Sequence, residues 1–325
     1  MYKSWQVPDA LHRSFPFWAW NGKLNKEELI RQVRLMKEAG VGGFFIHSRE
    51  GLETEYLGRE WMECVKAVVN EAKKQGMYVW LYDEDRFPSG TAGGKVPACG
   101  DAFRCKGLTL QIQEVESYPD LFDQEIFGKD YGSDDHIGIQ AVYGAVVGDK
   151  DKILSIRRLA MEQHEAFLEG EVLLVVRLEV SASSEWFNFQ SPPDNLNPEC
   201  VERFIMETHE KYKAAIGNEF GKTVLGIFTD EPSLHDRHAF FGEKKGWIPW
   251  TYGLGSYFKE LNGYDFLDFL PYMYFRGEYS KRTRRDYWHM ITLRFGETFF
   301  KRIGDWCKDN NIMFTGHFRN RQAKG

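Results

Sequence analysis

The chain has 325 residues, of which 42% are hydrophobic and 28% charged, so one large α/β domain, or one with an insertion, can bury a sizeable core. A net charge of −6 with scattered Lys and Arg disfavours nucleic acid as a partner. No apolar stretch is long enough for a signal peptide or a membrane span, and the five cysteines form no CxxC pattern. We therefore expect a cytoplasmic chain without a membrane partner, and the sequence leaves the oligomeric state open.

Short apolar runs alternate with amphipathic helical segments over residues 1–99. The runs at 15–20, 43–47 and 77–82 predict three buried strands. After the first of them, Asn25 is typical of a helix N-cap, with a glutamate three residues later as in a capping box. Continuous apolar strands separated by helices indicate a parallel sheet covered by helices.

The pattern changes over residues 100–192, where apolar and polar residues alternate with period two. The alternation is clear at 108–113 and looser at 137–147 and 172–180, with Gly- and Asp-rich breaks between the segments. We therefore predict that 100–192 is an inserted, antiparallel β-rich subdomain, placed after the third strand of the first part of the chain.

Helical periodicity returns at Asn197-Pro198, and apolar runs at 224–228 and 312–317 predict a fourth and a fifth parallel strand. The sequence thus predicts a (β/α)-barrel of the TIM type, with strands 1–3 in residues 1–99 and strands 4–5 in 193–325. A closed barrel needs eight strands. A fragment, strands supplied by a partner chain, and an open sheet are the alternatives; we favour the fragment.

Polar residues follow each predicted strand, and ligand-binding residues of parallel α/β folds collect at this edge. The candidates, in chain order, are Trp20, Asn21, His47, Arg49, Asp83, Asp85, Arg86, Asp230, Glu231 and His317. Trp20 serves either as a sugar platform or as filling of the barrel. If the segment is extended, Asp83 and Asp85 share a face. There they bind sugar hydroxyls, hold a hard cation, or form ion pairs with Arg86 and Arg49. The two histidines have either ligand-contacting or structural roles.

Glu231 is the sharpest catalytic candidate. It follows a wholly apolar strand and is preceded by Asp230, so two carboxyl groups stand at one strand end. A carboxyl group that stays protonated near neutral pH can donate its proton to a leaving oxygen. The alternative is a helix N-cap or a carboxylate that braces a loop.

Five segments of the chain resemble bacterial glycosidases of glycoside hydrolase family 106 and its uncharacterised relatives, which include α-L-rhamnosidases. These segments are 16–21, 42–49, 82–90, 194–199 and 228–232. The resemblance implies an inverting hydrolase with Glu231 as general acid and a second carboxylate on a later strand. Inverting enzymes hold the two carboxyl groups about 6.5–9.5 Å apart. The segment Phe318–Gln322, after the fifth strand, contains no acid, which puts the activity of this chain alone in doubt.

These observations predict a glycoside hydrolase domain that cleaves a terminal glycosidic bond of an oligosaccharide or glycoside, with an α-L-rhamnoside as one candidate substrate. A carbohydrate-binding barrel without turnover is the first alternative, because the second carboxylate is missing. A metal-dependent hydrolase barrel is weaker, because the first strand lacks the His-x-His pattern common in such barrels. We expect no cofactor; relatives can use calcium near the sugar, but the sequence assigns it no ligands.

Overall fold

The computed structural model describes residues 8–115, 136–159, 166–234 and 244–317. The chain divides into two compact units. The first comprises Met1–Cys99, Ser184–Ser233 and Phe299–Gly325, and the second comprises Gly100–Ser183 and Leu234–Thr298. The boundaries predicted from sequence, 1–99, 100–192 and 193–325, stay predictions.

Ten strands and seven α-helices lie within the described residues. The strands are β1 (Phe17–Gly22), β2 (Gly43–Leu52), β3 (Tyr78–Tyr82), β4 (Lys106–Gln113), β5 (Gly138–Gly148), β6 (Lys152–Arg158), β7 (Val172–Val180), β8 (Val224–Asp230), β9 (Lys244–Trp250) and β10 (Met313–His317). The α-helices are α1 (Lys26–Glu38), α2 (Arg59–Gln75), α3 (Pro198–Glu207), α4 (His209–Ile216), α5 (Leu254–Asn262), α6 (Ser280–Phe295) and α7 (Arg302–Asp309).

The first unit contains a five-stranded parallel sheet in the order β1-β2-β3-β8-β10. The prediction of a TIM-type barrel is wrong: the described residues form five parallel strands with β1 and β10 at the edges, and no eightfold β/α pattern. The apolar runs predicted the five strands correctly. An apolar run shows that a strand is buried, but open and closed sheets share that local pattern, so it could not show closure.

Capping residues explain where the helices of this unit begin and end. The Asn25 side chain accepts a hydrogen bond from the backbone N–H of Glu28 at 2.9 Å, and Asn197 caps α3 in the same way. Pro198 is the first residue of α3. A backbone N–H at this position has no partner within the helix, so its absence in proline does not weaken the helix. Gly76 ends α2 in the left-handed conformation, with φ at 61°. The N-cap at Asn25 and the Asn-Pro start predicted from sequence are confirmed, but the Glu28 carboxylate accepts hydrogen bonds from Arg31 and Gln32, and within the described residues none completes the capping box.

The two faces of the parallel sheet differ in what covers them. Trp20 of β1 is 1% exposed and packs against Trp61 of α2, with ring centroids 5.0 Å apart. On the other face, Phe17 stacks on Phe45 and Phe45 on Trp80, yet Phe17 is 47% exposed. Because side chains alternate along a strand, this second face continues toward the carboxyl ends of the strands, where the polar candidates lie.

The second unit contains a five-stranded antiparallel sheet in the order β6-β5-β7-β4-β9. Sequence alternation predicted β4, β5 and β7. It missed β6, a short strand of mixed polarity, and β9, which lies 64 residues after β7 in the chain. Pairing of β9 with β4 is a long-range contact that local periodicity does not reveal.

The described part of the chain contains no helix that combines the length and apolarity needed to cross a bilayer. All five cysteines are free thiols. Cys64, Cys200 and Cys307 are buried, as expected for small core residues.

Candidate functional site

Asp230, the last residue of β8, joins three of the strand ends. Its Oδ2 accepts a hydrogen bond from the Tyr82 hydroxyl of β3 at 2.8 Å. Its Oδ1 lies 3.1 Å from Nδ1 of His317, the last residue of β10. The His47 ring of β2 lies against the Tyr82 ring, with centroids 4.0 Å apart. The parallel register therefore brings together three of the predicted residues, His47, Asp230 and His317, around a tyrosine.

Burial sets the protonation states around Asp230. Burial lowers the pKa of His47 to about 4, the positive charge of Arg49 acts in the same direction, and Asp230 opposes both. The His47 ring is therefore neutral near pH 7. Burial raises the pKa of Tyr82, and the neighbouring Asp230 raises it further, so this hydroxyl keeps its hydrogen and donates it to the carboxylate.

Glu231 directly follows this cluster. Its backbone N–H donates to the carbonyl oxygen of His317 at 3.0 Å, which fixes the two residues to each other. Its φ is +43°, a left-handed conformation that is uncommon outside glycine. Such backbone strain costs of order 1–3 kcal/mol and clusters at functional sites. Glu231 is partly buried at the carboxyl edge of the sheet, where the sequence places it.

Asp83 is linked to Asp230 through the side chain of Ser89. Its side chain is buried, and its Oδ1 accepts a hydrogen bond from the Ser89 hydroxyl at 2.6 Å. The same hydroxyl accepts the backbone N–H of Asp230 at 2.8 Å. Burial raises the pKa of Asp83 well above its usual range, and the bond from Ser89 works against this shift. The pair of Asp83 and Ser89 thus anchors the end of β8.

Glu84 is buried and accepts six hydrogen bonds of 2.7–3.0 Å. The donors are the backbone N–H groups of Asp85, Gly90, Thr91, Ala92 and Gly93 and the Thr91 hydroxyl. Burial raises the pKa of Glu84 to about 7, against the effect of these donors. Every neighbour donates, so the ionised carboxylate is the form that this loop is built around. Glu84 therefore holds the loop that carries Ser89.

Asp85 points to a different set of partners from Asp83. Its Oδ1 accepts from the Ser48 hydroxyl at 2.7 Å and its Oδ2 accepts from the Asn188 amide at 3.2 Å. Arg86 lies 3.7 Å from the same carboxylate, also donates to the Asn188 oxygen, and stacks over Trp186 at 5.7 Å. The structure therefore separates Asp83 from Asp85, which the alternation argument had placed in one site.

The other predicted residues lie apart from the cluster. Trp20 is in the core under α2, so no sugar ring reaches its indole. Asn21 and Arg49 are exposed near the ends of their strands. The segment Phe318–Gln322, where the sequence has no acid, lies outside the described residues. Sequence reasoning missed three side chains that hold this edge together: Tyr82, Ser89 and Glu84. Their only signal was their position at the end of the predicted strand 77–82 or shortly after it.

Two further observations concern metal-binding groups and pockets. Among the residues that the structure describes, no group of three or more His, Cys, Asp or Glu side chains could hold a metal ion. A groove of about 480 Å³ lies at the amino ends of β8 and β10, lined by Leu225, Cys307 and Met313. It is at the opposite end of the strands from Asp230. The groove contains none of the predicted residues, so the site predicted from sequence is the polar carboxyl edge and not this groove.

Comparison with known proteins gives one informative result. No protein-family profile and no curated protein sequence matches the chain. The solved structure of a rhamnosidase from Novosphingobium sp. PP1Y matches with a TM-score of 0.57 and 12% identity. The match covers 97% of this chain and 47% of that chain, so this chain spans about half the length of the rhamnosidase. The similarity shows that this chain shares its fold with part of that rhamnosidase.

Proposed function

We propose that the chain carries the catalytic site of a glycoside hydrolase related to glycoside hydrolase family 106. Glu231 acts as general acid, and a terminal α-L-rhamnoside is the first substrate to test. The observation that carries the proposal is the strained Glu231 next to Asp230, which is hydrogen-bonded to two other strand ends. The fold similarity to a rhamnosidase supports the choice of sugar.

The arrangement suits acid catalysis at a glycosidic oxygen. In an inverting reaction, the Glu231 carboxyl group gives its proton to the leaving oxygen while water attacks the anomeric carbon from the opposite face. The bond between that carbon and the leaving oxygen breaks, which releases the aglycone alcohol and the free sugar. General acid catalysis of this kind contributes about 10²–10⁴-fold to the rate.

The test uses the full-length protein and a panel of 4-nitrophenyl glycosides that includes the α-L-rhamnoside. We expect turnover of one member of the panel and, by proton NMR, a product whose first-formed anomer is inverted. Glu231→Gln keeps the size of the side chain and removes the donated proton, and Glu38→Gln, exposed at the end of α1, is the matched control. Calorimetric binding of a sugar with no turnover of any substrate would support the non-catalytic alternative instead.

A further inference from the structure

The Asp230–His317 pair has the geometry of a carboxylate that orients a histidine. The distance between Asp230 Oδ1 and His317 Nδ1 is 3.1 Å. An ionised carboxylate only accepts hydrogen bonds, so Nδ1 carries the ring hydrogen and the lone pair of a neutral ring is on Nε2. The second oxygen of Asp230 is occupied by the Tyr82 hydroxyl at 2.8 Å, which keeps the carboxylate from rotating.

The His317 ring contacts two aromatic rings, but most of its side chain is exposed to solvent. It packs edge-to-face on Phe228, with centroids 4.9 Å apart, and lies 6.4 Å from the Phe17 ring. Its side chain is 63% exposed, against 14% for Asp230. Within the described residues, its only polar contact is to Asp230. The arrangement therefore leaves a basic nitrogen accessible at the carboxyl edge of the sheet.

Asp230 is the charged group that faces this ring from the neighbouring strand. The elements packed against His317 contribute Asp230 from β8 and the apolar rings of Phe17 and Phe228. His47, on the far side of Tyr82, is neutral near pH 7 because burial lowers its pKa to about 4. No described cation therefore competes with the ring for Asp230.

From this geometry we infer that His317, oriented by Asp230, is the general base that activates water in the reaction proposed for Glu231. The inference rests on the proposed function. Nε2 takes one proton from a water molecule as its oxygen bonds to the anomeric carbon. The leaving oxygen departs with the proton of Glu231. The step ends with an imidazolium at His317, a carboxylate at Glu231, an inverted sugar and the aglycone alcohol.

Leaving-group and nucleophile dependence test the assignment with α-L-rhamnosyl fluoride and an alkyl α-L-rhamnoside, whose leaving group needs a proton. Fluoride needs little acid assistance, so loss of a base slows both substrates, whereas loss of the acid spares the fluoride. We expect His317→Ala in the full-length protein to lower kcat about 10²–10⁴-fold on both. Azide, which needs no deprotonation, should restore turnover and yield the inverted rhamnosyl azide. His289→Ala, exposed on α6, is the control and should stay within about twofold of wild type.

Asp230→Asn tests the orienting role separately. Since Tyr82 donates to one side-chain oxygen, the new amide presents its NH₂ group to Nδ1, which moves the ring hydrogen to Nε2 and removes the base. We expect a similar loss of kcat, about 10²–10⁴-fold, with KM changed far less.

Three outcomes would overturn the inference. The first is a His317→Ala variant within about threefold of wild type, the second is a loss confined to the alkyl glycoside, and the third is no rescue by azide. Each differs from failure of the proposed function, in which wild type turns over neither substrate. If wild type is active and only Glu231→Gln shows a leaving-group-dependent loss, the proposed function stands without the His317 base.

Discussion

Glu84 gives the sharpest prediction about how the site is held together. Glu84→Ala removes the one acceptor shared by six hydrogen bonds, five of them from backbone N–H groups of Asp85 and of residues 90–93. The site is buried, so water does not replace the lost acceptor without opening the loop. Each buried N–H group left without an acceptor costs about 1–3 kcal/mol, and relaxation of the loop recovers part of that cost, so the total for the five groups is on the order of 3–5 kcal/mol. We expect that loss in the free energy of unfolding.

Glu84→Gln refines the prediction because it keeps the shape and replaces one oxygen with an NH₂ group. Oε1 and Oε2 each accept three hydrogen bonds. An amide NH₂ group at the Oε2 position faces three backbone N–H donors, and at the Oε1 position it faces two backbone N–H donors and the Thr91 hydroxyl, which can turn to accept. We therefore expect Gln to recover less than half of the stability lost with Ala. Glu38→Ala, an exposed change at the end of α1, should stay within about 0.5 kcal/mol of wild type.

Urea unfolding followed by far-ultraviolet circular dichroism measures these differences, with the slope on urea checked for each variant. The reasoning would be refuted by a loss below about 1 kcal/mol for Glu84→Ala, or by Glu84→Gln as stable as wild type. Either result would mean that the loop is not built around the carboxylate.

Two further predictions concern packing and pH. Gly90→Ala places a Cβ 2.5 Å from Asn195 Oδ1 at a φ of +127°. The control is Gly100→Ala, because Gly100 has a similar φ of +120° but open space around it. We expect Gly90→Ala to lower the free energy of unfolding in urea by about 1–3 kcal/mol more than Gly100→Ala does, and equal losses would rule out the steric clash. Burial lowers the pKa of His209 from 6.5 to about 3, so between pH 7 and pH 5 the unfolded chain takes up a proton at this residue and the folded chain does not. Lowering the pH from 7 to 5 should therefore reduce the free energy of unfolding by about 2 kcal/mol through this group. His209→Phe should remove that cost and His289→Phe should not; a His209→Phe chain as acid-sensitive as wild type would contradict this.

The sequence predicted the parts of the fold that depend on local pattern. Continuous apolar runs located the five parallel strands, period-two alternation located three strands of the antiparallel sheet, and Asn25 and Asn197 located two helix starts. Closure of the sheet depends on which strands meet at its edges, a contact between residues distant in sequence. The barrel prediction was wrong for that reason, and β9 was missed because its partner β4 lies over 130 residues earlier.

The sequence predicted where the polar side chains lie, but not the hydrogen bonds that link them. Placing polar residues at the strand ends correctly brought His47, Asp230 and His317 together, because parallel register aligns the ends of neighbouring strands. Alternation failed for Asp83 and Asp85, because the chain leaves the extended conformation after β3 and turns around Glu84. A side chain that accepts six bonds from its own loop leaves no periodic signal in the sequence.

The central claim, that Glu231 donates a proton to the leaving oxygen, is tested most directly by comparing aryl and alkyl glycosides. The measurement is kcat/KM of wild type and Glu231→Gln on 4-nitrophenyl α-L-rhamnoside and on an alkyl α-L-rhamnoside, whose poor leaving group needs the proton. We predict a loss of about 10²–10⁴-fold on the alkyl glycoside and under about 10-fold on the aryl glycoside. Equal losses on both substrates, or no loss on the alkyl glycoside, would contradict the assignment of Glu231 as the acid.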